Sequence, residues 1–365
     1  MKSIFQRRAN IRLAGIAAIA SLMVSEGTGC KKDNTSSNPS TSTYAEVKLV
    51  SDQSSSGAAQ TDPNLVNPWG IAIGGTGAFW ISANGTGKST VYDRTGATLL
   101  AAVTIPGIGG GGTPSGVVYN STSDFSIPLL GQTSKFIFAT ESGTIAAWSS
   151  TGTAITVADR SEAGAVYKGL TIANDGTANF IYAADFKNGK IDVYDHAFAY
   201  VTSGKPFSDP SIPSGFAPFN IRNINGMLYV TYAMQKGPDN HDDQSGAGNG
   251  YIDIFKADGT LVSRFSSQGS LNSPWGIAAA PSTFGLGQNT ILIGNFGDGH
   301  INAFGSDGTF LGALKDSSGG TIAIDGLWDI TFPVNGQPSG DPNQLFFTAG
   351  TDDEAHGMFG YIKQR

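Results

Sequence analysis

Short apolar runs alternate with glycine-rich polar turns along the chain, and one run is written nearly twice, as "NPWGIAIG" from Asn67 and "SPWGIAAA" from Ser273. Apolar and polar positions alternating over four to eight residues predict half-buried strands. Weaker copies of the Trp-Gly-Ile pattern bring the count to six: Trp69-Gly70-Ile71, Ser115-Gly116-Val117, Lys168-Gly169-Leu170, Phe219-Asn220-Ile221, Trp275-Gly276-Ile277 and Trp328-Asp329-Ile330. A second landmark, a glycine that opens an apolar run ending on a large residue, also occurs six times: "GKSTVY", "GTIAAW", "GKIDVY", "GYIDIF", "GHINAF" and "GMFGYI". Each copy falls between two successive triplets or after the last. Both landmarks therefore index one repeat of 46–56 residues.

Each unit reads as a four-stranded antiparallel meander. The triplet opens a buried inner strand, a second apolar run follows ("AFWISA", "KFIFAT", "NFIYAA", "MLYVTY", "TILIGN", "QLFFTA"), and the glycine landmark opens the third strand. Turns written "RTGA", "STGT", "ADGT" and "SDGT" lead to the fourth, with glycine supplying the positive φ that such hairpins need. Such a unit buries both faces only against neighbours, and six of them closing into a ring remove the long open edges. The last unit lacks a fourth strand, while the first strand-like run, Ala45–Ser51, has no unit of its own. The expected fold is all-β: a six-bladed β-propeller of four-stranded antiparallel blades, closed by the N-terminal strand in the last blade.

The units "NFIYAADFKNGKIDVYD" and "TILIGNFGDGHINAFGSDGT" are similar to those of NHL-type six-bladed propellers. Residues 44–365 as a whole resemble an uncharacterised family of secreted bacterial propellers through "NPWGIA", "HDD…GNGYIDIF" and "SPWGIA". The resemblance implies the fold and carries no activity with it.

Composition agrees with many short strands, with 50 glycines and only 14% charged residues among 365. Ahead of the repeats, basic Lys2, Arg7, Arg8 and Arg12 precede an apolar run from Leu13 to Val24 and then Cys30, the sole cysteine. This reads as an export signal over residues 1–29, too short for a stable membrane span. "GTGCKKD" resembles a bacterial lipoprotein cleavage site, which implies lipidation of Cys30; Gly27 and Glu26 depart from that pattern. Residues 30–43 read as a polar tether and 44–365 as the propeller. The expected location is the cell envelope, exported and membrane-anchored through Cys30, or secreted. Without the signal the chain holds 18 basic and 28 acidic residues, a net charge of −10. Nucleic acid is excluded as a partner on this ground, and a monomer is expected.

No G-x-S-x-G, H-E-x-x-H, P-loop or EF-hand pattern occurs. Candidate chemistry lies in the connections between second and third strands, which share one face with the entries to the inner strands. "MQKGPDNHDDQSGAGNG" spends 17 residues where a hairpin needs two to five, and long loops on rigid scaffolds tend to carry function. Residues 235–250 are expected to fold back over the ring axis. His241, Asp242 and Asp243, with Asp353 and His356 of "TDDEAH", form a candidate set for a divalent cation (Ca²⁺, Mn²⁺ or Zn²⁺). Turn geometry alone is the competing account of such residues. Trp69, Trp275 and Trp328 either offer a stacking surface at the channel mouth or, the favoured account, pack between blades. Two function classes follow: an envelope binding module for an extracellular protein, glycan or small ligand, and, as the alternative, a metal-dependent hydrolase or lyase.

Overall fold

The computed structural model describes residues 42–108, 110–333 and 338–365. The signal segment, Cys30 and all but the last two residues of the tether lie outside this range.

Six antiparallel sheets form the blades of a propeller, and every predicted triplet lies on an inner strand: Pro68–Ile73, Pro114–Tyr119, Tyr167–Asn174, Phe216–Ile224, Pro274–Ala279 and Leu327–Thr331. Blades one, two, four and five are four-stranded meanders in chain order. Blade six is completed by the N-terminal strand Tyr44–Ser51, which pairs antiparallel with Met358–Gln364 from Tyr44↔Gln364 to Ser51↔Met358. The ring is thus closed by the start of the chain, as the orphan run at Ala45 predicts. Two residues, Gln60–Thr61, add a parallel edge to this strand.

Blade three departs from the four-stranded expectation. It has three strands, Tyr167–Asn174, Asn179–Asp185 and Lys190–Tyr194, and a single bridge, Tyr194↔Tyr200, where the fourth would lie. The following segment carries Pro206, Pro210 and Pro213, which cannot donate to a ladder. Side chains replace the missing pairing: the Tyr200 hydroxyl donates to Asp192 at 3.0 Å and Lys190 Nζ donates to the same carboxylate at 2.7 Å.

The registers define two faces. On the first lie the entries to the inner strands and the connections between second and third strands; on the second lie the remaining hairpins. The first face is knitted by a hydrogen bond repeated in all six blades, from the residue that ends or follows the second strand to the residue near the start of the inner strand. Asn84 donates to Asn67, Glu141 to Thr113, Phe186 to Val166, Gln235 to Gly215, Phe296 to Ser273 and Gly350 to Gly326, at 2.7–3.0 Å, backbone to backbone.

The middle residue of each triplet sets how closely neighbouring inner strands approach. A Cβ on Gly70 would lie 2.9 Å from the Val117 nitrogen, one on Gly116 2.7 Å from the Leu170 nitrogen, and one on Gly276 2.8 Å from the Trp328 oxygen. Where the triplet carries a side chain here, that side chain makes the bridge. Asn220 Nδ2 donates to the Trp275 carbonyl at 2.9 Å, and Asp329 Oδ2 accepts from the Ile71 N–H at 2.8 Å.

Gly116→Ala is therefore expected to force the second and third inner strands apart, costing about 1–3 kcal/mol and lowering the melting temperature by a few degrees. Gly111→Ala, whose Cβ would meet nothing within 4 Å, is the matched control and should melt as the unmodified chain does.

Candidate functional site

The axis is closed by aromatic rings. Trp69, Trp275 and Trp328 are 3%, 1% and 2% exposed and pack with Phe186 and Phe219 in one buried cluster, against which Phe296 rests. Trp69 stacks on Trp328 with ring centres 3.6 Å apart, Phe296 stacks on the same ring at 4.0 Å, and Trp275 meets Trp328 edge-on at 5.7 Å. The tryptophans form the core of the ring rather than an open stacking surface, because they are buried against one another and against Phe186 and Phe219. Trp328 Nε1 donates to Asn67 Oδ1 and Trp275 Nε1 to the Lys168 carbonyl, both at 3.1 Å. Trp69 Nε1 is buried without a hydrogen-bond partner.

Above this plug lies a charged network. Lys168 takes the first triplet position of blade three, where blades one, five and six carry tryptophan, and it is only 2% exposed. Its Nζ sits 5.0 Å from the Trp69 ring centre, 2.6 Å from Glu141 Oε1 of blade two and 3.1 Å from Asp242 Oδ1 of the blade-four loop. Asn84 Nδ2 donates to the other Glu141 oxygen at 2.8 Å. Burial alone would drive the Lys168 pKa down, yet the carboxylates of Glu141 and Asp242 hold the ammonium above its ordinary range.

The long loop reaches this network from blade four. Its base is fixed by the Gln235↔Asp243 bridge and by Gln235 Nε2 donating to the Phe186 carbonyl at 2.6 Å. Asp243 turns inward to accept from the Ser273 hydroxyl, and burial raises its pKa. Asp242 points to Lys168 and also faces His241 Nδ1 at 2.9 Å. That contact with Asp242 raises the His241 pKa, and the same contact lowers that of Asp242. Since Glu141, His241 and Asp242 come from blades two and four, the loop does cross toward the axis.

Blade six adds a strained carboxyl. Asp352, Asp353 and Glu354 all have left-handed backbones, with φ of 57°, 51° and 65°, a run that costs non-glycine residues roughly 1–2 kcal/mol each. Burial, reinforced by the charge of Glu141, pushes Glu354 up to about 7, and its Oε1 is buried without a partner. Asn67 and Ser273, which precede the two Pro-Trp-Gly copies, are likewise left-handed at φ 46°. Strain of this kind concentrates where surrounding structure holds residues to a task.

Of the candidate metal set, the structure brings His241 and Asp242 together and adds Glu141; one ligand atom from each lies within 4.8 Å of the others. Asp353 is exposed on its strained turn. His356 faces the opposite way in function, its Nδ1 lying 2.8 Å from Asp52 Oδ2, while the Gly357 N–H donates to Asp52 Oδ1 at 2.8 Å. That histidine pins the end of the closing strand. Glu354 lies in the "TDDEAH" run that the sequence singles out, though outside the expected ligand set; Glu141, Lys168 and Asn67 escaped the sequence reading, although a lysine in a triplet position otherwise filled by tryptophan, phenylalanine or serine was a usable signal.

Fold and site together define a six-bladed propeller with an aromatic core at its axis and an ion network around the buried Lys168 on one face. No family model matches the chain. It is 37% identical over 327 residues to uncharacterized protein R648 of Acanthamoeba polyphaga mimivirus, covering 86% of this chain and 78% of that protein. It is 34% identical over 321 residues to uncharacterized protein L690 of the same virus, covering 84% and 82%. The chain belongs to the family of these proteins. The resemblance to a bacterial family is corrected to this extent: these relatives are viral. Among solved structures it is similar to the soluble aldose sugar dehydrogenase of Escherichia coli (TM-score 0.53, 16% identity, 88% of this chain and 100% of that one). It is also similar to a streptogramin B lyase (TM-score 0.53, 14% identity, 88% and 97%). At these identities the likeness is one of fold.

Lys168→Met should strand the partly buried Glu141 carboxylate, 13% exposed, and lower stability by about 2–3 kcal/mol, with little from Asp242, which is 64% exposed and screened. Adding Glu141→Gln should restore much of the loss in denaturant titration. The His241–Asp242 contact also makes the loop pH-dependent. His241 has a raised folded pKa, so its contribution is complete below the ordinary 6.5 and disappears as pH rises through the folded value. Asp242 has a lowered one, so its contribution is lost as pH falls from 3.8 through the folded value. Hydrogen exchange of residues 238–246 should be slowest between 3.8 and 6.5 after correction for intrinsic rates.

Proposed function

We propose that the chain is an exported binding module whose first face takes a small hydroxyl-bearing ligand, such as a glycan end, over the Trp69–Lys168 centre. The observation that carries this reading is a pair of orphaned buried polar atoms, Trp69 Nε1 and Glu354 Oε1, beside an ammonium already tied to two carboxylates. A hydroxyl group accepts from an indole N–H and donates to a carboxylate, so one ligand group answers both kinds of need. Buried polar atoms without partners cost roughly 1–3 kcal/mol each, which a ligand able to pair them recovers on binding. The long acidic loop then serves as the rim, and Glu354, near half-protonated at neutral pH, meets either polarity.

The alternative, a metal-dependent hydrolase or lyase, draws on the proximity of Glu141, His241 and Asp242. Against it stands Lys168, whose ammonium holds the position between the two carboxylates that a dication would need. Loading a metal there means displacing a buried lysine whose proton is strongly held.

On this reading the ligand face is carried by a lipid-anchored protein at the cell envelope, with Cys30 as the lipidated residue. Cys30→Ala should release the chain from the membrane fraction; retention would refute the anchor.

Glu354→Gln keeps the size and shape of the side chain and removes only its charge. It should leave the melting temperature unchanged while weakening the best glycan found by array screening about tenfold in calorimetric titration. Unchanged affinity would refute the assignment of the site. Elemental analysis, with melts in added Ca²⁺, Mn²⁺ and Zn²⁺, addresses the alternative: co-purifying metal that is lost in Asp242→Ala would favour the hydrolase or lyase.

A further inference from the structure

The exposed apolar side chains are not scattered. Among the described residues ten large hydrophobics are exposed, and nine lie at the strand ends and hairpins of the second face; the exception, Ile108, sits in the connection between blades one and two. They occupy four blades. Leu99 and Leu100 open the outer strand of blade one, Met227 opens the second strand of blade four, and Phe310 opens the outer strand of blade five. The most exposed is Leu129, at 78%, which with Leu130, at 46%, forms the tip of a small hairpin between Ser126–Ile127 and Gln132–Thr133 in blade two. Pro128 beside them is also exposed, so the whole tip stands in solvent.

We infer that the second face of the propeller rests on a lipid bilayer, with the Leu129–Leu130 hairpin dipping into its interface and the Lys168 face turned away from it. Two observations select a bilayer over a protein partner. First, the apolar residues are spread around the rim of the ring on blades one, two, four and five, so a flat surface meets them together, whereas a globular partner covers one contiguous sector. Second, the chain enters the ring on this same face: Ser42 Oγ donates at 2.8 Å to the Gly285 carbonyl, in the connection between the first two strands of blade five. Eleven residues separate Cys30 from Ser42, a reach of at most roughly 40 Å. This second argument rests on the proposed lipidation of Cys30; the first does not. No helix among the described residues is long and apolar enough to cross a membrane, so the contact is interfacial.

The test uses the chain beginning at Lys31, which keeps every strand of the propeller but neither the apolar leader nor Cys30, in flotation with phosphatidylcholine vesicles. A vesicle-bound fraction is expected, and Leu129→Ser combined with Leu130→Ser should reduce its partition coefficient at least about tenfold without changing the melt. Both leucines are exposed, so folding is not at stake. Equal partition of the two proteins, or no flotation of the unsubstituted one, would overturn the inference. So would a concentration-dependent dimer that the double substitution abolishes, since the rim would then be a self-association surface. Membrane release of Cys30→Ala reports separately on the anchor: if Cys30 proves unlipidated while flotation behaves as expected, the bilayer-facing surface stands and the anchor does not.

Discussion

Everything in this ring depends on how closely six inner strands come together at the axis. The middle triplet position governs that approach, and it does so in two ways. Glycine at residues 70, 116, 169 and 276 removes the atom that would hold the strands apart, while Asn220 and Asp329 fill the same place with a side chain that ties one strand to the next. Asp329 also accepts from Arg222 at 3.1 Å, which gives its buried charge a counterion; burial nonetheless raises its pKa. The first triplet positions above them hold four flat aromatic groups, one lysine and one serine. The site is therefore a by-product of closure geometry.

Most of the fold could be read from the sequence because its cause is periodic. A position that meets the same neighbour in each blade leaves the same residue type each time, and six weak copies add up to one strong pattern. Blade three shows where periodic reading stops: Lys190 and Tyr200 pair through Asp192 in place of a ladder, an arrangement that no other blade repeats. The site was legible in its two acidic loops. His241 and Asp242 announced themselves through an excursion of unusual length and Glu354 lies in the acidic run before His356, but Glu141 sits in a short connection whose residues also suit an ordinary turn. Their meeting is set by the ring, since residues 141, 168, 242 and 354 belong to four blades and no local pattern links them.

The charge network is stabilised by its own imbalance. One buried ammonium faces two carboxylates, and burial raises the pKa of two more carboxyls, that of Asp243 against the opposing hydrogen bond from Ser273 and that of Glu354 to about 7. The Lys168 ammonium and the raised Glu354 pKa both ease the repulsion among these carboxyls. The left-handed run at residues 352–354 is the mechanical side of this arrangement, because it holds a carboxyl where an unstrained turn would let it swing into water.

The stacked rings of Trp69, Trp328 and Phe296 also separate the two faces at the axis. Propellers are often pictured as having a tunnel, but here packed rings from blades one, five and six stand across it. The two faces can therefore differ in chemistry as sharply as the two sides of a wall. Because the stack joins rings from blades one, five and six, a tilt of any of these blades against the others would have to slide one ring over the next, which makes the stack the clasp of the molecule as well as part of its core.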